Sequence, residues 1–321
     1  MITIQDIRNA QENIQDTINA TPILQSGQLS QLCRNQVFFK CEHLQKTGSF
    51  KIRGATNKVK QVVMEGAKLV TAASSGNHGQ AVSFIAQQLG VPATIVVPTD
   101  VNPCKMNAID AYDGNIVKCG TTSAERIPRA IEIAAEQNGL FIPPYDDPYI
   151  MAGQGTTGLE ILEQVQDVDA VIVPIGGGGL ISGILTAIKE TNPNIKVYGV
   201  EPETANDTFL SFQNGRITSI TPTSTIADGL RATQPGDMTF PVMQKYLDDL
   251  VLVTDEEIRR AFSVVMERMK QIIEPSSAVT VAALMNKKLP LEGKKVVTVI
   301  SGGNVDLARI SELMIGTERI Y

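Results

Sequence analysis

The chain is poor in the residues that build metal centres and disulfide frames. It holds two histidines, His43 and His78, so a histidine-rich metal centre is excluded. Its four cysteines, Cys33, Cys41, Cys104 and Cys119, show no CxxC spacing. They read as reduced thiols of a cytosolic protein, not as a zinc site or a disulfide framework. Positive charge is scarce as well. A formal net charge of −6 leaves no basic stripe to neutralise phosphates, which argues against nucleic acid as the main partner. No long hydrophobic run is present. The longest apolar stretch, 170–185, is interrupted by Pro174 and by glycines at 176–179 and 183, and it is too short to span a bilayer, so no membrane partner is expected. The opening Met1-Ile2-Thr3-Ile4-Gln5-Asp6 lacks the basic start and apolar stretch of a secretory signal, and a cytoplasmic location is the expectation.

What remains is ordinary soluble composition, 43% hydrophobic and 19% charged, over 321 residues, enough for two lobes with their own cores. Apolar runs of strand length alternate with helix-period segments almost throughout. Strands are expected at 37–40, 69–73, 93–97, 116–118, 170–174, 197–200, 250–253 and 296–300. Helices are expected from 54 to about 64 and at 79–89, 123–136, 180–189 and 256–272. This alternation predicts an α/β fold of mostly parallel sheets flanked by helices. Pro143, Pro144 and Pro148 interrupt it and mark a hinge. A small lobe over 48–146, inserted into a large lobe built from 1–47 and 147–321, fits that punctuation.

Three segments carry chemistry. Gly176, Gly177, Gly178 and Gly179 lie between an apolar strand and a helix, where backbone N–H groups can converge on an anion helped by the positive helix end. A tight turn without a ligand is the plainer reading. Dinucleotide binding is a distant alternative, since Glu201 ends the next strand where a ribose-binding acid would sit. Gly177-x-Gly179-x-x-Ser182 is not GxGxxG, however, so a nicotinamide-dependent oxidoreductase rests on little.

The second segment, Ser74-Ser75-Gly76-Asn77-His78-Gly79-Gln80, also joins a strand to a helix. Consecutive N–H groups and small hydroxyls suit a carboxylate such as that of an amino acid substrate, although a plain helix cap would use the same residue types. His78 reads as a structural hydrogen-bonding residue. The third is Lys51 in Ser49-Phe50-Lys51-Ile52-Arg53-Gly54-Ala55, read with Ser301-Gly302-Gly303-Asn304 after the last apolar strand. A lysine ahead of a helix is usually a solvated charge. One held on a rigid element, together with a phosphate cradle and a polar strand-end cap, is what holding pyridoxal phosphate (PLP) as an imine requires.

Lys46-Thr47-Gly48-Ser49-Phe50-Lys51-Ile52-Arg53-Gly54-Ala55, the 74–80 segment, Ala152-Gly153-Gln154-Gly155-Thr156, the glycine run and Ser301-Gly302-Gly303-Asn304 together resemble the fold-type II PLP enzymes, of the tryptophan synthase β kind. The resemblance runs in order across nearly the whole chain, and its nearest branch contains serine/threonine dehydratases and serine racemases. It implies that Lys51 carries PLP, that Gly176, Gly177, Gly178 and Gly179 hold the phosphate, that Asn77 meets the ring hydroxyl, and that Ser301 faces the pyridine nitrogen. Ser74, Ser75, Gly76, Asn77 and His78 would bind substrate. Ser75 matches the racemase serine, the acid–base partner of Lys51 on the opposite face of the substrate carbon. Glu201, Ala205 and Asp207 resemble the divalent-cation site (Mg²⁺, Ca²⁺ or Mn²⁺) of serine racemases and 3-hydroxyaspartate dehydratases. Ile226-Ala227-Asp228-Gly229 and Glu274-Pro275 are shared across the branch, whereas Pro143-Pro144-Tyr145-Asp146-Asp147-Pro148 looks more like the dehydratases. An ATP-type effector at a homodimer interface, touching Lys46, Thr47, Gln80, Tyr112, Lys270 and Asn304, is the last implication. Serine racemisation with L-serine and L-threonine dehydration is therefore the leading expectation. A threonine or 3-hydroxyaspartate dehydratase, or an amino-acid sensor without catalysis, stands behind it.

Overall fold

The computed structural model describes residues 1–314; positions 315–321, the end of the expected large lobe, lie outside the described residues. Among the described residues ten strands form two sheets: β1 (Ile23–Gln25), β2 (Gln36–Cys41), β3 (Val70–Ala73), β4 (Ala93–Val97), β5 (Asn115–Lys118), β6 (Leu140–Phe141), β7 (Ala170–Pro174), β8 (Lys196–Pro202), β9 (Asp249–Val253) and β10 (Lys295–Ile300). The larger sheet has the order β1-β2-β10-β7-β8-β9 and the smaller β5-β4-β3-β6. Of these strand pairs β1–β2 is antiparallel and the others are parallel. Among the described residues no helix is long and apolar enough to cross a membrane.

Burial explains why the central strands read as unbroken apolar runs. In β7, Val171 and Val173 enter one core layer while Ala170 and Ile172 enter the other, so both faces of the larger sheet are covered. The smaller sheet repeats this: Val70, Ala72, Ile95 and Val97 face one cluster, and Val96 faces the other. All eight strands expected from the sequence form. The two that escape notice, β1 and β6, are only 3 and 2 residues long, too short to announce a period.

Two expected helices are corrected. The segment expected from residue 54 starts at Lys51. Its start is set from a distance, by Phe50 N–H donating to Ser301 O at 3.0 Å and by the antiparallel bridge between Ser49 and Gly302. The segment expected as one helix over 256–272 is an α-helix only over Asp255–Val264, then widens to a π turn at Val265–Met269. Lys270 ends it in the left-handed region, φ 58°.

The helix Lys51–Met64 crosses the helix Pro148–Gln164 with backbones almost touching. A Cβ on Gly153 would lie 2.6 Å from the Gly54 Cα, so glycine is obligatory on both sides of the crossing. Beneath it lies a buried ionic cluster that the sequence did not announce. Arg53 is fully buried. It donates to Glu42 Oε2 at 2.7 Å and Oε1 at 2.8 Å, to Glu160 Oε1 at 2.6 Å and Oε2 at 2.9 Å, and to Thr156 Oγ1 at 3.0 Å. Lys40 Nζ completes the set at 2.5 Å from Glu160. Burial would push the Glu42 carboxyl up, but Arg53 beside it holds it below its usual range.

Removing one partner from such a cluster strands a buried charge, whereas an exposed pair contributes little. Glu42→Ala is expected to cost about 3–5 kcal/mol of stability. Glu292→Ala, which breaks the exposed Arg34–Glu292 contact at 3.3 Å, is expected to cost under about 1 kcal/mol. Urea unfolding of both variants checks the contrast; equal midpoints would contradict it.

Candidate active site

Lys51 opens its helix with no side-chain cap ahead of it. The preceding strap, residues 47–50, runs beside residues 301–304. Gly303 N–H donates to Gly48 O at 2.9 Å and Asn304 Nδ2 to Thr47 O at 2.8 Å. Lys51 is thereby placed at the C-terminal end of β10, where Ser301, 2% exposed, meets Ser277 Oγ at 3.1 Å. Ser277, unremarked in the sequence, also donates to Gly302 O and accepts from Gly302 N–H, both at 2.7 Å. Lys51 Nζ donates to Pro144 O at 2.7 Å. Burial pulls its pKa down to about 8, with Glu274 opposing.

The glycine run joins β7 to the helix Gly179–Lys189, whose N-cap, Gly178, has φ 91° and no side-chain cap. Its N–H groups stand at a positive helix end with no side chain closing it. The walls are tight: a Cβ at Gly177 would lie 2.4 Å from the Tyr145 ring, and one at Gly178 would lie 2.7 Å from Thr239 Oγ1. Thr239 Oγ1 donates to Gly177 O at 2.8 Å.

The segment 74–80 joins β3 to the helix Asn77–Gln88. That helix also lacks a side-chain cap, so the capping alternative weighed from the sequence is not what these polar residues do. Ser74 Oγ accepts from Gly76 N–H at 3.3 Å. Ser75 is half-buried in the same loop. Asn77 Nδ2 donates to both oxygens of Glu274 at 3.0 Å, and its Oδ1 accepts from Asn304 Nδ2 at 2.8 Å. Glu274 is 6% exposed, and burial raises its carboxyl to about 7. His78 Nε2–H donates to Ile142 O at 2.9 Å, and burial, reinforced by the Lys51 charge, lowers its pKa to about 3. It is a neutral, tethered ring.

Glu201, at the end of β8, is fully buried and accepts from Thr208 N–H at 3.1 Å and Phe209 N–H at 2.9 Å. It is turned toward the helix Asp207–Asn214 and does not stand free for a ribose. Asp207 opens that helix, and both its carboxylate oxygens are buried without a hydrogen-bond partner. Burial raises Asp207 to about 7, and burial together with Asp207 drives Glu201 well above the usual carboxylate range. Two adjacent buried acids that form no ion pair among the described residues suit a hard cation, with the carbonyl of buried Ala205 between them in sequence. Among the described residues no group of three or more His, Cys, Asp or Glu side chains converges, so carbonyl and water ligands would have to complete the shell.

Of the positions considered for an effector, Thr47 and Asn304 are joined by the 2.8 Å bond above. Lys46 and Lys270 are exposed and Gln80 is buried. Tyr112 packs edge-on against Phe84, ring centroids 5.4 Å apart.

A glycine loop without a side-chain cap, a half-buried lysine of lowered pKa and a polar strand end are compatible with a PLP enzyme of fold type II. A family model for pyridoxal-phosphate dependent enzymes matches residues 14–302, and the chain belongs to that family. It is 44% identical over 318 residues to a serine racemase of Dictyostelium discoideum, covering 98% of each chain. It is 42% identical over 315 residues to the catabolic L-threonine dehydratase of Escherichia coli K12, covering 97% of this chain and 96% of that one. The solved maize serine racemase superposes with a TM-score of 0.93 at 38% identity, over 97% of this chain and 96% of that one.

The lowered lysine pKa is directly measurable. In the cofactor-free chain, competitive acylation of Lys51 should titrate with a midpoint near 8. An ordinary lysine titrates at about 10.4. The amine is charged below the midpoint and nucleophilic above it. A midpoint above 10 would show that burial does not control it.

Proposed function

We propose that this chain is a PLP-dependent serine racemase, interconverting L- and D-serine, that also dehydrates L-serine and L-threonine to the keto acid and ammonia. The carrying observation is the pairing of one lysine of lowered pKa, Lys51, with a loop bearing Ser75 on an uncapped helix start, in a chain so similar to a serine racemase. Bound PLP supplies an electron sink for the pair released when the substrate Cα–H bond breaks. Lys51 would hold the cofactor and, once free, take or return the α-proton on one face. Ser75 Oγ would serve the other face. Backbone N–H groups of 75–79 would grip the substrate carboxylate. Gly176, Gly177, Gly178 and Gly179 would hold the phosphate, Asn77 the ring hydroxyl, and Ser301 the ring nitrogen. Because Ser301 is neutral, that nitrogen would stay largely unprotonated. Loss of the same α-proton followed by departure of the β-hydroxyl gives dehydration, so the two reactions compete.

A second reading, a threonine or 3-hydroxyaspartate dehydratase with little racemase activity, is favoured by the 42% identity to the bacterial threonine dehydratase and by the 143–148 segment. The proposal further includes a Mg²⁺, Ca²⁺ or Mn²⁺ ion on Glu201, Asp207 and the Ala205 carbonyl. It also includes a cytoplasmic homodimer with an ATP-type ligand near Lys46, Thr47, Gln80, Tyr112, Lys270 and Asn304, and lobes 1–47 with 147–321 and 48–146 closing on the substrate.

Racemisation of serine by the parent decides between the readings, and Ser75→Ala tests the two-face assignment. Product chirality and α-proton exchange in deuterated water should show racemisation, and dehydration of D-serine, falling by roughly 10²–10⁴-fold while L-serine dehydration survives. Enantiomers that still interconvert near the parental rate would overturn the two-face assignment. For the cation, chelation should lower the melting temperature of the parent. Asp207→Ala should abolish that response; a parent indifferent to chelation would refute the site.

A further inference from the structure

Residues 144–146 touch Lys51, the glycine run and the 236–239 turn in three consecutive positions. Pro144 O accepts from Lys51 Nζ, and the Tyr145 ring lies against Gly177. The Asp147 carboxylate accepts from Tyr149 N–H at 2.8 Å and Ile150 N–H at 3.1 Å and pairs with Lys58 at 2.7 Å, an ordinary helix cap. Asp146 does something different. Its carboxylate accepts from the N–H groups of Asp237 at 3.0 Å, Met238 at 2.8 Å and Thr239 at 3.3 Å, across more than ninety positions of sequence. The contact is close enough that a Cβ on Gly236 would lie 2.1 Å from Asp146 Oδ1.

The turn so gathered is the one that holds the glycine run. Thr239 Oγ1 donates to Gly177 O at 2.8 Å, and Gly236 N–H donates to the same oxygen at 3.3 Å. Gly177 C=O and Gly178 N–H belong to one planar trans peptide, so they point in opposite directions. Pinning the carbonyl on the Thr239 side turns the Gly178 N–H to the other side of the loop. Glycine alone would leave that peptide free to rotate, and Gly178, at φ 91°, has no side chain to resist.

We propose that Asp146 is a positioning residue for the phosphate cradle. Its carboxylate fixes the 236–239 turn, the turn fixes the Gly177 peptide through Thr239, and the peptide presents the Gly178 N–H to the cofactor phosphate. The proposal rests on the reading that residues 176–179 hold that phosphate.

The test uses full-length protein, stripped of cofactor and titrated with PLP, together with the ³¹P chemical shift of the reloaded protein. Asp146→Ala and Thr239→Val should each raise the PLP dissociation constant by about tenfold or more and move the ³¹P signal. The double variant should be no worse than the poorer single one, since both act through one peptide. Asp146→Asn, which keeps an acceptor oxygen, should recover part of the affinity. Asp147→Ala should lower the melting temperature yet leave the dissociation constant within about twofold, because that cap leads nowhere near the cradle. Parental PLP affinity and an unmoved ³¹P signal in Asp146→Ala would overturn the proposal, as would an equal loss in Asp147→Ala. If Asp146→Ala does not fold, Asp146→Asn and Thr239→Val carry the same comparison. A parent that takes up no PLP at all would instead sink the underlying reading of the glycine run.

Discussion

The site depends on how the first turn of the Lys51 helix is fixed. A helix that begins without a capping side chain frays unless something else holds it. Here two constraints do so. The strap before Lys51 is bonded, backbone to backbone, to the chain leaving β10. Two residues further on, Arg53 is clamped between Glu42 and Glu160 at 0% exposure, which ties the turn to the end of β2 and to the helix Pro148–Gln164. Desolvating these charges is costly, and such clusters are weak sources of net stability. Their effect is directional: few geometries satisfy a bidentate guanidinium between two carboxylates, so the helix cannot slide relative to the larger sheet.

Buried charge is treated in two ways in this molecule. In the Arg53 cluster every carboxylate meets a cation. Glu274 and the Glu201–Asp207 pair form no ion pair among the described residues, and burial raises their pKa values. Lys51 is the mirror image, an amine whose pKa falls to about 8. Uncompensated groups of this kind mark positions where stability has been given up, and they gather where a ligand would complete them. The same logic applies to the helix starts at Gly178 and Gly76, which leave N–H groups without a side-chain cap.

Much of this was legible in the sequence, for physical reasons. Buried strands covered on both faces read as unbroken apolar runs, and β7 and β10 could be placed to within a residue. Glycine runs and small hydroxyls between a strand and a helix are local signatures, so the cradle and the 74–80 loop stood out. What stayed hidden is nonlocal. Nothing near Arg53 says that Glu42 and Glu160 will close on it. Ser277 looks like any helix serine until β10 is laid beside it. The start of the Lys51 helix was missed by three residues because tertiary bonds, not a cap, define it. The run over 256–272 kept helical periodicity, and nothing in it signalled a π turn. Asp146 and Asp147 are indistinguishable in sequence, though one caps the helix that follows it and the other reaches across the fold to residues 237–239.

The central proposal is that Lys51 carries the cofactor. Borohydride reduction of the purified protein followed by peptide mapping tests it most directly. The account predicts loss of the visible absorbance band and a phosphopyridoxyl mass on the peptide containing Lys51. A colourless protein, or the added mass on another lysine such as Lys40 or Lys58, would contradict it.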